Sequence, residues 1–156
     1  MILGVIRILM GWTFLWPFLD KVFGLGFATE SGKGWLDGVS PTTGFLKFGT
    51  HGPFAEFFQS LAGSVFVDWL FMIGLLLIGL ALILGIGVRI AGYSGALLLL
   101  FMWLAAFPPE HNPIIDDHII YIFVLAMLVL ANSGKYFGFG KWWGKTKLVK
   151  KYGFLR

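Results

Sequence analysis

Four ionisable side chains crowd the eight consecutive residues His111, Asn112, Pro113, Ile114, Ile115, Asp116, Asp117 and His118. An imidazole titrates near neutrality, and a part-buried carboxylate can be shifted towards the same range. Asp116, Asp117 and His118 are therefore the candidates for general acid–base work: a carboxylate that holds an imidazole, and an imidazole that passes a proton. On a helix Tyr121 falls three residues after His118 and four after Asp117, so all three can share one polar patch. Leu125, Leu128 and Asn132 continue that stripe. A purely structural alternative exists for the acids. Asn112 suits an N-cap, Pro113 a first helical residue, and the helix dipole favours negative charge just beyond them. That alternative leaves His118 without a role.

The elements that must position these residues are apolar. Residues 90–107 and 119–132 carry no charge on either side of the cluster. Fourteen residues are too few for a hydrocarbon core of ~30 Å, which takes about 20 helical residues. The spacing therefore predicts a last helix over residues 113–132, with ionisable groups drawn to the membrane boundary, where they are costly and read as functional candidates. The whole chain has 58% hydrophobic and 13% charged residues in 156, with mean hydropathy +0.84, which excludes an ordinary soluble globule. Further spans are expected over residues 1–19 (interrupted by Arg7), 69–88 and 90–107. The first lacks the basic start and small-residue cleavage site of a signal peptide, so it is expected to persist as a helix. The expected fold is all-α: a four-helix transmembrane bundle over residues 1–134. A long external loop, 25–65, would carry a short interfacial helix with the stripe Phe54, Phe57, Phe58 and Leu61. Residues 135–156 would form a basic-aromatic cytoplasmic tail.

Charge sets the orientation. With four spans, all eight carboxylates fall towards one side, accompanied only by Lys21, Lys33 and Lys47. The other side holds Arg7, Arg89 and seven basic residues after Asn132. The positive-inside rule places both termini in the cytoplasm. The tail's lysines and aromatics fit anionic lipid headgroups better than nucleic acid, for which nothing else speaks. Arg7 lies between Gly4 and Gly11 on one helical face; it either faces the bundle or snorkels to headgroups. Asp20 and Lys21 are adjacent, point apart, and read first as a boundary pair. The second helix is expected to pack through Gly74, Gly79, Gly85 and Gly87, and the third through Ala91 and Gly95. So many glycines also allow copies of the chain to pair. No cysteine is present, which removes disulfides, thiol relays and thiolate-held iron–sulfur clusters. The sequence shows no haem, iron–sulfur or metal site.

Several short motifs, in order, resemble the DoxD/DoxX family of membrane proteins. They are Gly11-Trp12-Thr13-Phe14, Asp20-Lys21, Gly38-Val39-Ser40-Pro41, Asp68-Trp69-Leu70, Ile78-Gly79-Leu80-Ala81-Leu82 and the run from Asn112 to His118. The resemblance is collinear from about residue 7 to Trp143 and is closer to DoxD than to the wider DoxX group. It implies a subunit of thiosulfate:quinone oxidoreductase in the cell membrane of a prokaryote, an enzyme of sulfur-oxidising archaea. It also implies a separate DoxA-like partner. The reaction oxidises two thiosulfates to tetrathionate and passes two electrons to a quinone, which is a substrate. On that footing Arg7, Trp16 and Tyr121 are quinone-binding candidates, and Lys21, Lys33, Lys47 and His51 are candidates for the thiosulfate anion. An accessory subunit that anchors a redox partner is the alternative, favoured by the absence of any cofactor motif. The external side has eight acidic and three basic residues, a field that repels a dianion unless local cations, a basic partner or an acidic exterior intervenes.

Overall fold

A computed structural model describes residues 1–155, and all regular structure among them is helical. Helix α1 (Ile2–Phe23) ends where Gly24 adopts φ 60° and returns its N–H to the Asp20 carbonyl. Pro17 lies inside α1 and withholds the amide that would bond the Thr13 carbonyl. The short α2 (Ala55–Ser60) precedes α3 (Val65–Leu84), α4 (Val88–Ala105) and α5 (Asp117–Leu130). Two further short helices, α6 (Gly140–Trp143) and α7 (Lys147–Lys151), lie in the tail.

α1 packs chiefly on α3, α3 on α4 and α4 on α5, while α1 also touches α5. Met10 and Phe14 meet Leu75, Ile78 and Leu82 in the core, which α4 and α5 complete through Leu99, Leu125 and Leu128. Glycine permits the closest approach. A Cβ at Gly79 would lie 2.9 Å from the Leu15 backbone nitrogen, and one at Gly11 would lie 2.9 Å from the Gly79 carbonyl. α1 and α3 therefore cross at a contact that no larger residue fits.

The outer faces are as apolar as the core. Phe66 is 74% exposed, Phe123 71% and Leu130 79%, a distribution that water penalises and lipid accepts. α1, α3 and α4 are long and apolar enough to cross a membrane. At 1.5 Å per residue, their 22, 20 and 18 residues reach about 27–33 Å. α5 has 14 residues and reaches only about 21 Å.

Several expected boundaries move. α5 begins at Asp117 rather than near Pro113. Asn112 Oδ1 instead accepts the amides of Ile114 and Ile115, and Trp103 donates its indole N–H to the Ile114 carbonyl. These bonds hold residues 112–115 in a turn, and Asp116 becomes the N-cap, accepting from the Ile119 amide. Asn132 lies past the end of α5 at φ 48°, so it does not extend the helical stripe. Gly85 and Gly87 belong to the turn between α3 and α4, both at positive φ, and not to a helix. Gly74 has open space around it and packs against nothing. The long 25–65 connection contains short turns of helix at Trp35–Asp37, Phe45–Gly49 and Gly52–Phe54 in addition to α2. Of the expected stripe only Phe58 is buried, against Leu46 and Ala105.

Candidate functional site

The start of α5 brings the acid–imidazole group together. Asp116 does two jobs from one carboxylate: Oδ1 caps the helix, and Oδ2 lies 2.8 Å from His118 Nδ1. A carboxylate oxygen accepts, so Nδ1 carries the proton and Nε2 is left to exchange one with a guest. Asp117, the other candidate carboxylate, stands further from the ring. Its Oδ1 is 3.7 Å from Nδ1 and its side chain is 70% exposed, against 20% for Asp116. The i, i+2 spacing reaches the ring because Asp116 is the extended cap residue and not part of the helix. Asp116, Asp117 and His118 each offer a ligand atom, and these atoms lie within 4.8 Å of one another. That spacing would also suit a cation with the rest of its coordination open. Tyr121 packs on the main core, and no hydrogen bond joins it to His118 among the described residues. α2 packs chiefly on the Phe45–Gly49 and Gly52–Phe54 turns.

A second polar cluster lies at the same end of the molecule, built partly from Ser40 and Asp68, which stand in two of the quoted motifs without an assigned role. Asp68, in the first turn of α3, is 6% exposed. Its Oδ1 accepts the hydroxyls of Ser40 at 2.8 Å and Thr42 at 2.5 Å. Ser40 Oγ in turn accepts from the Thr43 amide and hydroxyl, and Thr43 Oγ1 accepts the Gly63 amide. The carboxylate thus ties the 40–43 turn to α3. The available signal was a lone acid opening a long apolar run, opposite a loop with three hydroxyls. Asp20 acts similarly. It is 1% exposed and accepts the amides of Phe27 and Thr29, so it anchors the loop and is not a free boundary charge.

Arg7 is wholly buried. Its guanidinium donates to the Phe137 carbonyl at 2.9 Å and to the Ser133 carbonyl at 3.4 Å. The space exists because residues 85 and 138 are glycines; a Cβ at either would collide with the guanidinium. Arg7 therefore clamps α1 to the tail at the terminal end of the bundle. Trp16 stands nine residues further along α1, about 13 Å away along the axis, against Trp12 and Phe27. Tyr121 is in the second turn of α5, while Arg7 meets the chain beyond that helix's last turn. The three quinone candidates are not gathered into one place.

The candidate anion contacts lie at the acidic end and are likewise dispersed. Lys33 pairs with Glu30 at 2.7 Å, and that bond and charge hold the Glu30 carboxyl below its ordinary range. Lys21 is half-buried on α1, and Lys47 is exposed in the Phe45–Gly49 turn. His51 is held by the end of α4 and the segment after it: its amide donates to the Ala105 carbonyl and its Nε2 lies 3.0 Å from the Pro108 carbonyl. A carbonyl only accepts, so Nε2 carries that ring's proton. Gly52, at φ 73°, lets this segment approach Phe107, whose carbonyl would collide with any Cβ.

No protein-family model matches the chain, and neither a curated protein nor a solved structure matches it. The class defined by the structure is an all-helical protein with three helices able to span a membrane.

Proposed function

We propose that this chain is the membrane subunit of a quinone-linked oxidoreductase that oxidises thiosulfate to tetrathionate. The observation that carries this reading is the Asp116–His118 hydrogen bond at the start of α5. The motif resemblance to the DoxD/DoxX family supplies the substrates. α1, α3, α4 and the shorter α5 form a four-helix bundle in the membrane, with both termini on the basic, cytoplasmic side. Two thiosulfates lose one electron each and join through a new S–S bond. The quinone gains two electrons and two protons. His118, charged with its Nδ1–H held by Asp116, donates the Nε2 proton to a reduced quinone oxygen and is reprotonated from the aqueous side. A positioned general acid of this kind contributes ~10²–10⁴-fold. A DoxA-like partner completes the complex.

The test is thiosulfate-dependent quinone reduction by the assembled complex. His118→Ala is expected to lower turnover at least ~10²-fold with membrane insertion unchanged, and Asp117→Asn is expected to lower it less. Full turnover in a normally assembled His118→Ala complex would favour the second reading, an accessory subunit that anchors a redox partner. One observation supports that second reading: Arg7 and Lys33 are already engaged within the chain. A stoichiometric quinone retained by the purified chain alone would count against it.

A further inference from the structure

At the terminal end of the bundle, the turn after α3, the start of α4, the end of α5 and the tail surround an open cavity of about 440 Å³. Arg89, Lys135, Lys141 and Lys145 line it, with Asn132 and no carboxylate. Glycine backbone together with Val88 and Val129 forms the rest of the wall, and the glycines are closely packed: a Cβ at Gly134 would lie 2.6 Å from the Gly85 carbonyl. The cations therefore rise around a floor of glycine peptide and valine side chain. Among the described residues every side-chain carboxylate lies at the far end of the chain's helices, and the ion pairs involve only Lys33 and His118. Four like charges around one cavity repel each other, and an anion relieves that repulsion.

A second feature identifies the anion. Arg89 also borders a shallow groove, again about 440 Å³, formed with Ile90, Tyr93, Ser94 and Phe154. This groove runs along the outer face of α4, where Ile90 is 42% and Tyr93 68% exposed. The Arg89 guanidinium donates to the Gly153 carbonyl at 3.3 Å, which sets it between the two spaces. A soluble phosphate compound has use for the basic cavity only. A phospholipid uses both, with its phosphodiester among the cations and an acyl chain along the apolar groove. We propose that the cavity and groove together bind one anionic phospholipid.

The purified chain in detergent is titrated with phosphatidylglycerol, with phosphatidylcholine of the same acyl chains, and with inorganic pyrophosphate. Bound species are counted by native mass spectrometry. One phosphatidylglycerol per chain is expected at concentrations where phosphatidylcholine is not retained. Removing two cavity charges, Lys135→Gln with Lys141→Gln, is expected to weaken retention ~10-fold or more. The matched pair Lys147→Gln with Lys150→Gln removes the same charge from the tail outside the cavity and is expected to change it less than ~3-fold. Phe154→Ala is expected to weaken phosphatidylglycerol but not pyrophosphate. Equal losses from the two lysine pairs would show general attraction to a basic tail and overturn the site. Equal retention of the two lipids would overturn it too. Pyrophosphate bound as tightly as phosphatidylglycerol, and insensitive to Phe154→Ala, would replace the lipid by a free phosphate ligand.

Discussion

Arg7→Leu removes both donors from the Ser133 and Phe137 carbonyls, in a place where the guanidinium was wholly buried. An unsatisfied buried polar group costs about 1–3 kcal/mol, so a thermal midpoint several degrees lower in detergent is expected. Arg7→Lys should recover little of it, because one ammonium does not span the two carbonyls as a planar fork does. An unchanged midpoint in Arg7→Leu would leave the clamp without energetic weight. At the opposite end, Asp116 separates into two roles under mutation. Asp116→Ala loses the helix cap, a change that costs about 0.5–2 kcal/mol, together with the bond to His118. Asp116→Asn keeps a capping oxygen but loses the negative charge beside the ring. If the proposed chemistry holds, turnover falls in both variants while the midpoint falls only in Asp116→Ala. Parallel behaviour in both assays would mean that the residue acts through stability alone.

The helices meet through glycine where α1 crosses α3. Gly79→Val puts a branched side chain where a single Cβ is already 2.9 Å from the Leu15 backbone nitrogen. Backbone cannot yield as a flexible side chain does, so overpacking of about 1–3 kcal/mol or more is expected. Loss of a monodisperse elution profile would register it, whereas Gly74→Val, in open space, serves as the tolerated control. The four apolar stretches were legible in the sequence to within a few residues, since hydropathy sums over neighbours. The start of α5 was not. Asn112 and Asp116 are both good caps by residue type, and the choice between them rests on Trp103 donating to the Ile114 carbonyl from the preceding helix. The role of residues 40–43 was not legible for a similar reason, because Asp68 reaches Ser40 and Thr42 across more than twenty-five residues.

In the folded chain the alternating helices place α1's start, the turn after α3 and the tail together. The acid-rich loops gather at the other end. Among the described residues eight of the eleven Lys and Arg belong to the first group, and all eight Asp and Glu to the second. The positive-inside rule then predicts an external 25–65 segment and a cytoplasmic tail. A chain without cysteine suits single-cysteine labelling in intact cells. An impermeant thiol reagent is expected to label Lys47→Cys and not Lys147→Cys. The reverse pattern would invert the orientation and move the acid–imidazole group to the cytoplasmic face.

Composition and charge order sufficed for an all-helical chain with helices apolar enough to cross a membrane, for its apolar segments and for its electrical polarity. These are sums over residues and do not depend on who touches whom. The acid–imidazole cluster was legible as well, because its members are adjacent, although the carboxylate that holds His118 is Asp116 and not Asp117. Tertiary structure alone decided the fate of Arg7. Whether it snorkelled or turned inward depended on carbonyls 126 and 130 residues away and on two glycines that leave room for it. It also decided that Asp20 and Asp68 are loop anchors and that four basic residues share one cavity. A charged group in a nonpolar surrounding is governed by the few partners within hydrogen-bond reach, and folding brings those partners from distant stretches of the chain.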